Sequence, residues 1–375
     1  MLASKCRKLW LDLAEKPELV EHIFAIDEDD AESQSLKRFH HVEVKSGGGC
    51  VRAWNVAAGN ANSHILIQLS DDWTPPAEWD KLIIERIGDT SKPSVLAVSD
   101  GTRTDKLLCM AICTRRYYEQ DWFLFHPDFT GVYSDNWFTA QAYSRNAVIE
   151  ARDLVFTHSH PAFGTAKVDH TYAMQNAPER YAQGEKILNH LMLGNDWSSV
   201  PGFFNYWPFY GAVADRLKDG DSVAEIGCWM GRSLIYLSQR CKAQGKRVKF
   251  YAVDTFKGES NQKEHEATVR ECGGSLRASF EANIARCGVA DMVEIIEGDS
   301  AESASKLDDG TVAFCYIDAA HDYESVKRDI AAWKPKVKSG GLLAGHDADW
   351  HEVSKAVSEL LPEASTLNCV WATQL

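Results

Sequence analysis

The residues Val-Ala-Glu-Ile-Gly-Cys-Trp-Met-Gly-Arg-Ser at positions 223–233 constrain the fold more than any other part of this sequence. An apolar run ends in the pattern E-x-G-x-x-x-G, and a helix-forming segment follows at once. Gly227 and Gly231 allow a tight backbone turn at the carboxyl end of a strand, where open α/β sheets bind their ligands. The pattern predicts a ligand-binding βα unit, and it differs from the G-x-G-x-x-G motif of dinucleotide-binding folds.

The second half of the chain repeats the alternation of strand and helix. We expect strands at residues 222–226, 248–253, 293–297, 312–317 and 341–344, which predicts an α/β fold with a mostly parallel sheet. The second and third strands end in Asp254 and Asp299. Asp254 follows Gly231 by 23 residues (254 − 231), close to the spacing of about 20 for an acid that binds a ribose diol. These carboxylates predict a nucleoside-binding edge.

The fourth and fifth predicted strands end in further polar side chains. Asp318 and His321 follow the fourth strand, and His346 and Asp347 follow the fifth. Carboxylate and imidazole groups can bind a divalent ion that lowers the pKa of a hydroxyl, or can take its proton directly. The alternative is that both histidines are hydrogen-bonded structural residues.

Residues 203–375 resemble the class I S-adenosylmethionine-dependent methyltransferases. The resemblance implies a Rossmann-like sheet and implies that S-adenosylmethionine is bound by Glu225, Gly227, Gly231, Asp254 and Asp299. The D-x-x-H motif and the later acid are also similar to metal-dependent O-methyltransferases that act on sugars of macrolide antibiotics. That similarity implies Asp318 and Asp347 as ligands of a divalent ion and His321 as catalytic base. His346 stands where that pattern has an acid.

Six of the eight residues at 203–210 are aromatic. They precede the first strand of this half. Two interpretations are open, a lid over cofactor or acceptor and a helix that packs on the sheet.

The first half of the chain also places acids after predicted strands. Strands are expected at 22–26, 64–69 and 94–98. Asp71 and Asp72 follow the second of them, as suits a divalent cation bound to a diphosphate, because such cations prefer oxygen ligands. Other polar residues of interest in this half are Asp27, Asp29, Asn55, Asp135, His158 and His160.

Residues 20–161 resemble family-2 glycosyltransferases of the GT-A fold, a nucleotide-diphospho-sugar fold. The resemblance implies that Asp27 or Asp29 contacts the nucleotide base and that Asn55, in the helix preceding the metal-binding motif, also binds the nucleotide-sugar. It further implies Asp71 and Asp72 as ligands of Mn²⁺ or Mg²⁺, with His158 or His160 completing the site. Asp135 would then be the catalytic base of glycosyl transfer.

This half departs from that family at its start. The family begins with an apolar strand, whereas this chain opens with a segment at 5–19 that predicts a helix. Three alternatives remain open: the true start lies upstream, another segment fills the gap, or this half no longer binds a donor. Loss of a central strand leaves unpaired backbone groups.

Two domains are expected from these patterns: a glycosyltransferase-like domain at 1–170 and a methyltransferase domain at 199–375. A helical linker at 171–198 would join them, with its helix at 178–193.

The net charge of −14 argues against a nucleic-acid partner. No apolar run is long enough to cross a membrane, and none of the ten cysteines forms a C-x-x-C pair. We therefore expect a cytoplasmic protein. The sequence does not determine its oligomeric state.

The combined expectation is a bifunctional transferase. The second half would methylate a sugar hydroxyl, and the first would transfer a sugar from a nucleotide-sugar donor to a glycan or small-molecule acceptor. Two alternatives remain open. The first half is a catalytically silent glycan- or nucleotide-binding module, or the methyl acceptor is a small molecule other than a sugar.

Overall fold

The computed structural model describes residues 2–259 and 263–375, and it divides the chain into two compact units. Unit 1 is Met1–Leu193 and unit 2 is Gly194–Leu375. Most of the segment that we expected as a linker, 171–198, is thus part of unit 1. Its main helix packs against an earlier helix of that unit. Among the described residues, no helix has both the length and the apolar character needed to cross a bilayer.

Unit 1 contains seven α-helices and eight short strands in the part that the structure describes. In chain order they are α1 Leu2–Asp12, β1 Phe24–Asp27, β2 His41–Val44, α2 Gly49–Asn60, β3 Ile65–Ile67, β4 Trp73–Thr74, α3 Trp79–Ile87, β5 Val95–Ser99, β6 Ile112–Thr114, α4 Arg115–Tyr118, α5 Ser134–Ser144, β7 Val148–Val155, β8 Thr157–His158, α6 His170–Gln175 and α7 Pro178–Met192. Short 3₁₀ turns lie at Pro17–Leu19, Glu32–Arg38 and Pro161–Phe163.

The strands of unit 1 form three small sheets. β1 and β2 are a parallel pair, and β4 and β8 an antiparallel pair. The third sheet has the order β3-β6-β5-β7, in which β6 is antiparallel to both neighbours and β5 is parallel to β7. Its core includes the fully buried strand residues Leu96 and Ile112.

A helix and one side chain connect the parallel pair to the four-stranded sheet. Glu21 Oε2 accepts hydrogen bonds from Asn62 N at 2.8 Å and Ser63 Oγ at 3.2 Å, so the segments entering β1 and β3 are tied together. Helix α1 packs Ala3 against the small core of the parallel pair and Trp10 into the core of the four-stranded sheet. Among the described strands, β1 pairs only with β2 and β3 only with β6. The two sheets therefore share a helix but no ladder of hydrogen bonds.

Helix α1 is shorter than the helix expected at 5–19. It ends at Asp12, and Pro17 begins a separate 3₁₀ turn. The prediction was wrong beyond Asp12, because a proline disfavours helical backbone at the residue before it and removes a helical hydrogen bond. The carboxylate of Asp80 instead accepts hydrogen bonds from the backbone N–H groups of Glu15 and Lys16.

Unit 2 contains seven α-helices and seven strands among its described residues. In chain order they are α8 Trp207–Arg216, β9 Ser222–Ile226, α9 Arg232–Ala243, β10 Lys249–Asp254, α10 Lys263–Glu271, α11 Arg277–Arg286, β11 Val293–Glu297, α12 Ser300–Ser303, β12 Val312–Ile317, α13 Tyr323–Trp333, β13 Val337–Gly345, α14 His351–Leu360, β14 Ser365–Leu367 and β15 Val370–Gln374. Short 3₁₀ turns lie at Trp197–Ser199, Ala290–Met292, Ala304–Lys306 and Lys334–Lys336.

All seven strands of unit 2 form one continuous sheet in the order β11-β10-β9-β12-β13-β15-β14. The first five are parallel, and β15 is antiparallel to β13 and to β14. The central strand β12 is buried along its whole length, as expected of a parallel strand covered by helices on both faces. The strand order reverses between β9 and β12, and open α/β sheets bind ligands at the carboxyl ends of the strands at such a point.

The strands expected in the second half are confirmed within about four residues. The first, third and fourth have the predicted bounds, and the fifth extends to Val337–Gly345. The helix expected at 178–193 is confirmed as α7. In the first half the strands expected at 22–26, 64–69 and 94–98 exist but are shifted or shorter.

The aromatic segment at 203–210 mostly packs on the sheet. Tyr206 and Tyr210 are buried, and the ring of Tyr206 stacks on that of Tyr316 in β12 with 4.9 Å between centroids. Phe203 is the exception, since its side chain is 58% exposed.

Candidate functional site

The loop after β9 can take its shape only with glycine at two positions. Gly227 has φ +88°, and a Cβ atom there would lie 1.9 Å from the carbonyl oxygen of Asp318. Gly231 has φ +93°, and a Cβ atom there would lie 2.9 Å from the ring of Phe280. The loop therefore passes directly over the end of β12, at the point where the strand order reverses.

Asp254, at the end of β10, holds this loop in place. Its Oδ2 accepts hydrogen bonds from the backbone N–H groups of Cys228 at 2.7 Å and Trp229 at 2.8 Å, and its Oδ1 accepts one from Phe256 at 2.6 Å. Burial raises the pKa of the carboxyl, although these hydrogen bonds oppose the rise. The structure brings Asp254 to the predicted edge and gives it a loop-shaping role there.

Glu225 lies inside the sheet. Its side chain is 1% exposed, and it accepts hydrogen bonds from Tyr210 Oη at 2.9 Å and Ser233 Oγ at 2.7 Å. Burial raises the pKa of Glu225 to about 8. Both carboxyl oxygens thus have partners within the chain, so the residue supports the glycine loop from below.

Asp299, at the end of β11, caps a helix. It accepts a hydrogen bond from Glu302 N at 3.0 Å, at the start of α12, and its other oxygen lies 2.9 Å from Arg328 Nη2. The residue is at the expected edge, and both of its oxygens are engaged there.

The four polar residues after β12 and β13 converge, as expected from their places in the sheet. His321 Nε2 lies 2.8 Å from Asp347 Oδ2 and 3.9 Å from Asp318 Oδ1. His346 Nδ1 lies 3.1 Å from Asp347 Oδ2 and 3.7 Å from Asp318 Oδ1. Asp318, His321 and Asp347 each offer one potential metal-ligand atom, and these three atoms lie within 4.8 Å of one another. We call these four residues the acid–imidazole cluster.

The charges of the acid–imidazole cluster stabilise one another. Burial alone would lower the pKa of both histidines. The carboxylates of Asp318 and Asp347 outweigh the effect of burial at His321 and raise its pKa to about 10. The charge of Asp318 and a hydrogen bond to Asp347 raise the pKa of His346 to about 11. The two histidines in turn hold the pKa of Asp347 well below its usual range, against the effect of burial.

Two partners of the cluster were missed by the sequence analysis. Glu259 Oε2 lies 3.0 Å from His321 Nδ1, on the side of the ring opposite Asp347. Asn205 Oδ1 lies 3.1 Å from His346 Nε2 and accepts a hydrogen bond from Cys369 Sγ at 3.3 Å. Both come from segments far away in sequence, and neither lies in a motif that could have pointed to it.

The backbone at this edge of unit 2 is unusual. Among the described residues of the unit, four non-glycine residues have left-handed backbone: Trp229, Phe256, Asp347 and Asn368, with φ between 51° and 55°. The first three directly follow the strands β9, β10 and β13, and Asn368 is in the turn between β14 and β15. Such conformations cost on the order of 1–3 kcal/mol each and persist where the surrounding structure enforces them.

In unit 1, one predicted pair comes together. His158 Nε2 lies 3.0 Å from Asp72 Oδ2, and the imidazole stacks on Trp73 with 4.1 Å between ring centroids. The pairing of β4 with β8 sets this contact, because it puts Trp73 opposite His158. His160 lies beside it, with its ring centroid 4.8 Å from that of His158.

Two carboxylate oxygens near this pair are buried without a hydrogen-bond partner among the described residues. They are Asp72 Oδ1 and Asp100 Oδ2. The carbonyl oxygen of Asp100 accepts a hydrogen bond from His158 N at 3.1 Å, so Asp100 is joined to the pair through the backbone. Burial, reinforced by the charge of Asp72, raises the pKa of Asp71. Asp100 was missed because it follows a strand to which no motif was assigned.

The other predicted residues of unit 1 lie apart from this pair in sequence and on other elements. Asn55 is buried in α2, where it donates to Phe125 O at 2.7 Å and accepts from the N–H groups of Leu124 and Phe125. Its amide therefore clamps a loop to the helix. Asp135 is in the first turn of α5, where burial raises the pKa of its carboxyl.

Asp27 and Asp29 lie at the end of β1. Burial and the charge of Asp29 raise the pKa of Asp27. Asp29 accepts a hydrogen bond from Ser46 Oγ.

Comparison with known proteins bears on unit 2. Residues 224–348 match a family model described as a methyltransferase domain. This match contains the glycine loop, Asp254 and the whole acid–imidazole cluster.

Unit 2 thus contains a region similar to a methyltransferase domain.

Several solved structures are similar at low identity. The O-methyltransferase NovP has 16% identity and a TM-score of 0.38, covering 49% of this chain and 87% of its own. CalS11, titled a TDP-rhamnose 3'-O-methyltransferase of calicheamicin biosynthesis, has 16% identity and a TM-score of 0.31, covering 57% and 90%. A putative caffeoyl-CoA O-methyltransferase from Staphylococcus aureus has 15% identity and a TM-score of 0.35, covering 55% and 96%. A search of curated proteins finds no match to this chain.

Proposed function

We propose that the methyltransferase domain transfers a methyl group to the oxygen of a hydroxyl group, and that the acceptor is a sugar. The observation that carries the proposal is the acid–imidazole cluster at the end of β12, where Gly227 passes over Asp318. An alcohol is a weak nucleophile until a base removes its proton.

The residues at the glycine loop fit the methyl donor. The space over Gly227 and Gly231 admits no side chain, and the buried carboxylate of Asp254 lies beside it. S-adenosylmethionine supplies an electrophilic methyl group on a positively charged sulfur. Gly227 and Gly231 would give the loop its shape beside the donor, and Asp254 and Asp299 would accept hydrogen bonds from the nucleoside.

We assign the role of base to His321. Glu259 on one ring nitrogen and Asp347 on the other fix the orientation of the imidazole. At neutral pH the raised pKa keeps the ring protonated in the free protein. Asp318 and Asp347 cause that rise, so positive charge placed beside them would lower the pKa of His321 and free a nitrogen to take the acceptor's proton.

The carboxylates of Asp318 and Asp347, with the imidazole of His346 beside them, would also hold a divalent ion and leave His321 as the base. Carboxylate and imidazole together suit Mn²⁺ better than Mg²⁺, since Mg²⁺ prefers ligands that are all oxygen. A bound ion there would lower the pKa of an acceptor hydroxyl.

The test is to offer the protein S-adenosylmethionine and a panel of glycosides. Methyl transfer is measured as the release of S-adenosylhomocysteine. His321→Ala should lower turnover by about 10²- to 10⁴-fold and leave the affinity for S-adenosylhomocysteine unchanged. Equal losses of turnover and affinity would contradict the role of base. Methylation of phenols with no methylation of glycosides would favour the alternative acceptor class.

A second function is favoured by the unpaired oxygens of unit 1. We propose that Asp72, Asp100 and His158 hold a divalent ion that binds the diphosphate of a nucleotide-sugar. Two buried oxygens without a partner among the described residues and an adjacent imidazole support the proposal, since Mn²⁺ accepts carboxylate and imidazole ligands, and Asp71 adds a further carboxylate. In this proposal Asp27 or Asp29 contacts the nucleotide and Asp135 is the base for glycosyl transfer, as in the GT-A family that the sequence resembles.

Calorimetric titration of the full chain with nucleotide-diphosphate sugars and Mn²⁺ tests this second function. Saturable binding that is lost in Asp72→Ala supports it, with S-adenosylhomocysteine binding as the control for folded protein. Binding without sugar transfer to any acceptor would leave unit 1 as a silent binding module. Absence of binding in a chain that still binds S-adenosylhomocysteine would contradict it.

A further inference from the structure

The exposed apolar side chains of unit 2 are concentrated around the acid–imidazole cluster. In the described part of the unit, three large apolar side chains are exposed: Phe203 at 58%, Trp350 at 49% and Leu367 at 68%. Phe203 lies against His346, with 5.8 Å between ring centroids. Trp350 lies against His321, with 5.0 Å between ring centroids.

Leu367 belongs to the same edge through the turn between β14 and β15. It is two residues before Cys369, whose Sγ donates to Asn205 beside His346 and whose carbonyl oxygen accepts from Ala348 N at 2.9 Å. We call Phe203, Trp350 and Leu367 the apolar rim. Exposed apolar groups that surround a few polar groups are the usual composition of a small-molecule site.

We propose that the apolar rim binds the methyl acceptor, and that the acceptor is an uncharged pyranose ring held by Phe203 and Trp350. This inference rests on the proposed function of the cluster. Each of the two rings lies against one imidazole of the cluster, so a ring bound between them has a hydroxyl within reach of His321. A pyranose has faces of C–H groups that pack on aromatic rings, and hydroxyls around its edge.

The polar groups inside the rim suit those hydroxyls. Glu259, Asp318 and Asp347 offer carboxylate oxygens, which accept hydrogen bonds from O–H groups. Asn205 uses its Oδ1 toward His346 and Cys369, and its Nδ2 has no partner among the described residues. An amide donor beside several acceptors matches a polyol, which both donates and accepts.

The charge of the site argues for an uncharged acceptor. Three carboxylates, Glu259, Asp318 and Asp347, have oxygens between 2.8 and 3.9 Å from nitrogens of the two imidazoles. Even with both imidazoles protonated, the group carries one net negative charge. A carboxylate or phosphate on the part of the acceptor nearest His321 would be repelled.

The experiment uses the full chain with saturating S-adenosylhomocysteine and measures saturation-transfer NMR on three probes. The probes are methyl glycosides of neutral hexoses, the methyl glycoside of a hexuronic acid, and catechol. We expect signals on the C–H protons of the neutral glycosides and about tenfold weaker binding of the uronic acid. Because the pyranose would pack on Phe203 and Trp350, Phe203→Ala and Trp350→Ala should each weaken glycoside binding by about two- to tenfold. Trp350→Phe keeps an aromatic ring and should retain most of the affinity for the glycoside.

Two controls separate this inference from the proposed function. Phe163→Ala removes an exposed aromatic ring of unit 1 (38% exposed) and should change nothing. S-adenosylhomocysteine affinity should be the same in all variants. Failure of the wild-type chain to bind S-adenosylhomocysteine would overturn the proposed function itself. Glycoside binding that is unaffected by Phe203→Ala and Trp350→Ala would overturn only the inference about the apolar rim. Binding of catechol alone would overturn that inference and also the sugar as acceptor.

Discussion

Both units place carboxylates directly after strands, yet only unit 2 gathers them into a large cluster. In unit 2 one continuous sheet of seven strands carries Asp254, Asp299, Asp318 and Asp347 to the same edge. In unit 1 the strands belong to three sheets, and the acids after β1 lie in a different sheet from those after β3. A motif at a strand end therefore predicts a site only to the extent that the strands share one ladder of hydrogen bonds.

The sharpest test of this difference is substitution in the glycine loop. Gly227→Ala should lower S-adenosylhomocysteine affinity by at least about 100-fold, because the new Cβ would lie 1.9 Å from the carbonyl oxygen of Asp318 and would strain a left-handed backbone. The matched control is Gly220→Ala. Gly220 has φ +85°, but no atom lies within 4 Å of its Cβ position. Calorimetric titration of both variants separates the effect of the steric clash from that of backbone strain. Equal losses of S-adenosylhomocysteine affinity would show that the close approach of Gly227 to Asp318 is unimportant.

A smaller effect is expected at the acids that end β10 and β1. Asp254→Ala should weaken S-adenosylhomocysteine binding at least tenfold, since hydrogen bonds to a carboxylate contribute about 1.5–3 kcal/mol each. Asp27→Ala removes the corresponding acid of unit 1 and should leave that affinity unchanged. The measurement is again titration with S-adenosylhomocysteine. An unchanged affinity in Asp254→Ala would mean that its three backbone hydrogen bonds are its whole role.

The sequence identified the edge of unit 2 and missed part of what surrounds it. The strand ends, the two glycines and the cluster residues lie in short motifs, and parallel strands must bring their ends together. Glu259 reaches His321 from a loop 62 residues away, and Asn205 reaches His346 across 141 residues. No local pattern encodes such contacts, because packing of whole elements creates them.

In unit 1 the sequence analysis predicted the pair of Asp72 and His158, but it assigned Asn55 to binding of the nucleotide-sugar. The pair depends on β4 and β8, two strands of two residues each that no periodicity could reveal. Asn55 lies in a motif shared with ligand-binding families, and yet its amide is fully used by the loop at Leu124 and Phe125. A motif can therefore resemble one that binds a ligand, while its polar side chain is needed for the fold.

The role of Asn55 gives the next prediction. Asn55→Ala leaves two N–H groups and one carbonyl of the buried loop without their partner, which should cost about 1–3 kcal/mol of folding free energy. Unit 1 should therefore unfold at lower denaturant concentration, while S-adenosylhomocysteine binding by unit 2 stays the same. Chemical denaturation followed by tryptophan fluorescence measures the first, and calorimetric titration the second. Loss of nucleotide-sugar binding with unchanged stability would restore Asn55 as a ligand-binding residue.

The last prediction concerns the pH dependence of stability. In the folded chain the pKa of His321 is about 10, against 6.5 for a free histidine. Its stabilising contribution is therefore complete below about pH 6.5 and is lost as the pH rises toward 10. The melting temperature, measured by calorimetry with a chelator present, should fall over this interval by about 2–4 °C for each kcal/mol lost.

His321→Gln should flatten this decline, because the substituted side chain does not titrate. The same slope in wild type and His321→Gln would show that other groups cause it.

The left-handed residues at the edge of unit 2 have a consequence for anyone who engineers this protein. Trp229, Phe256 and Asp347 each occupy a conformation that glycine adopts without strain. A search for heat-resistant variants would be drawn to those positions, and glycine there would relax the backbone while removing Asp347 from the cluster and the Trp229 ring from beside His265. In this domain, selection for robustness and selection for catalysis act on the same few positions in opposite directions.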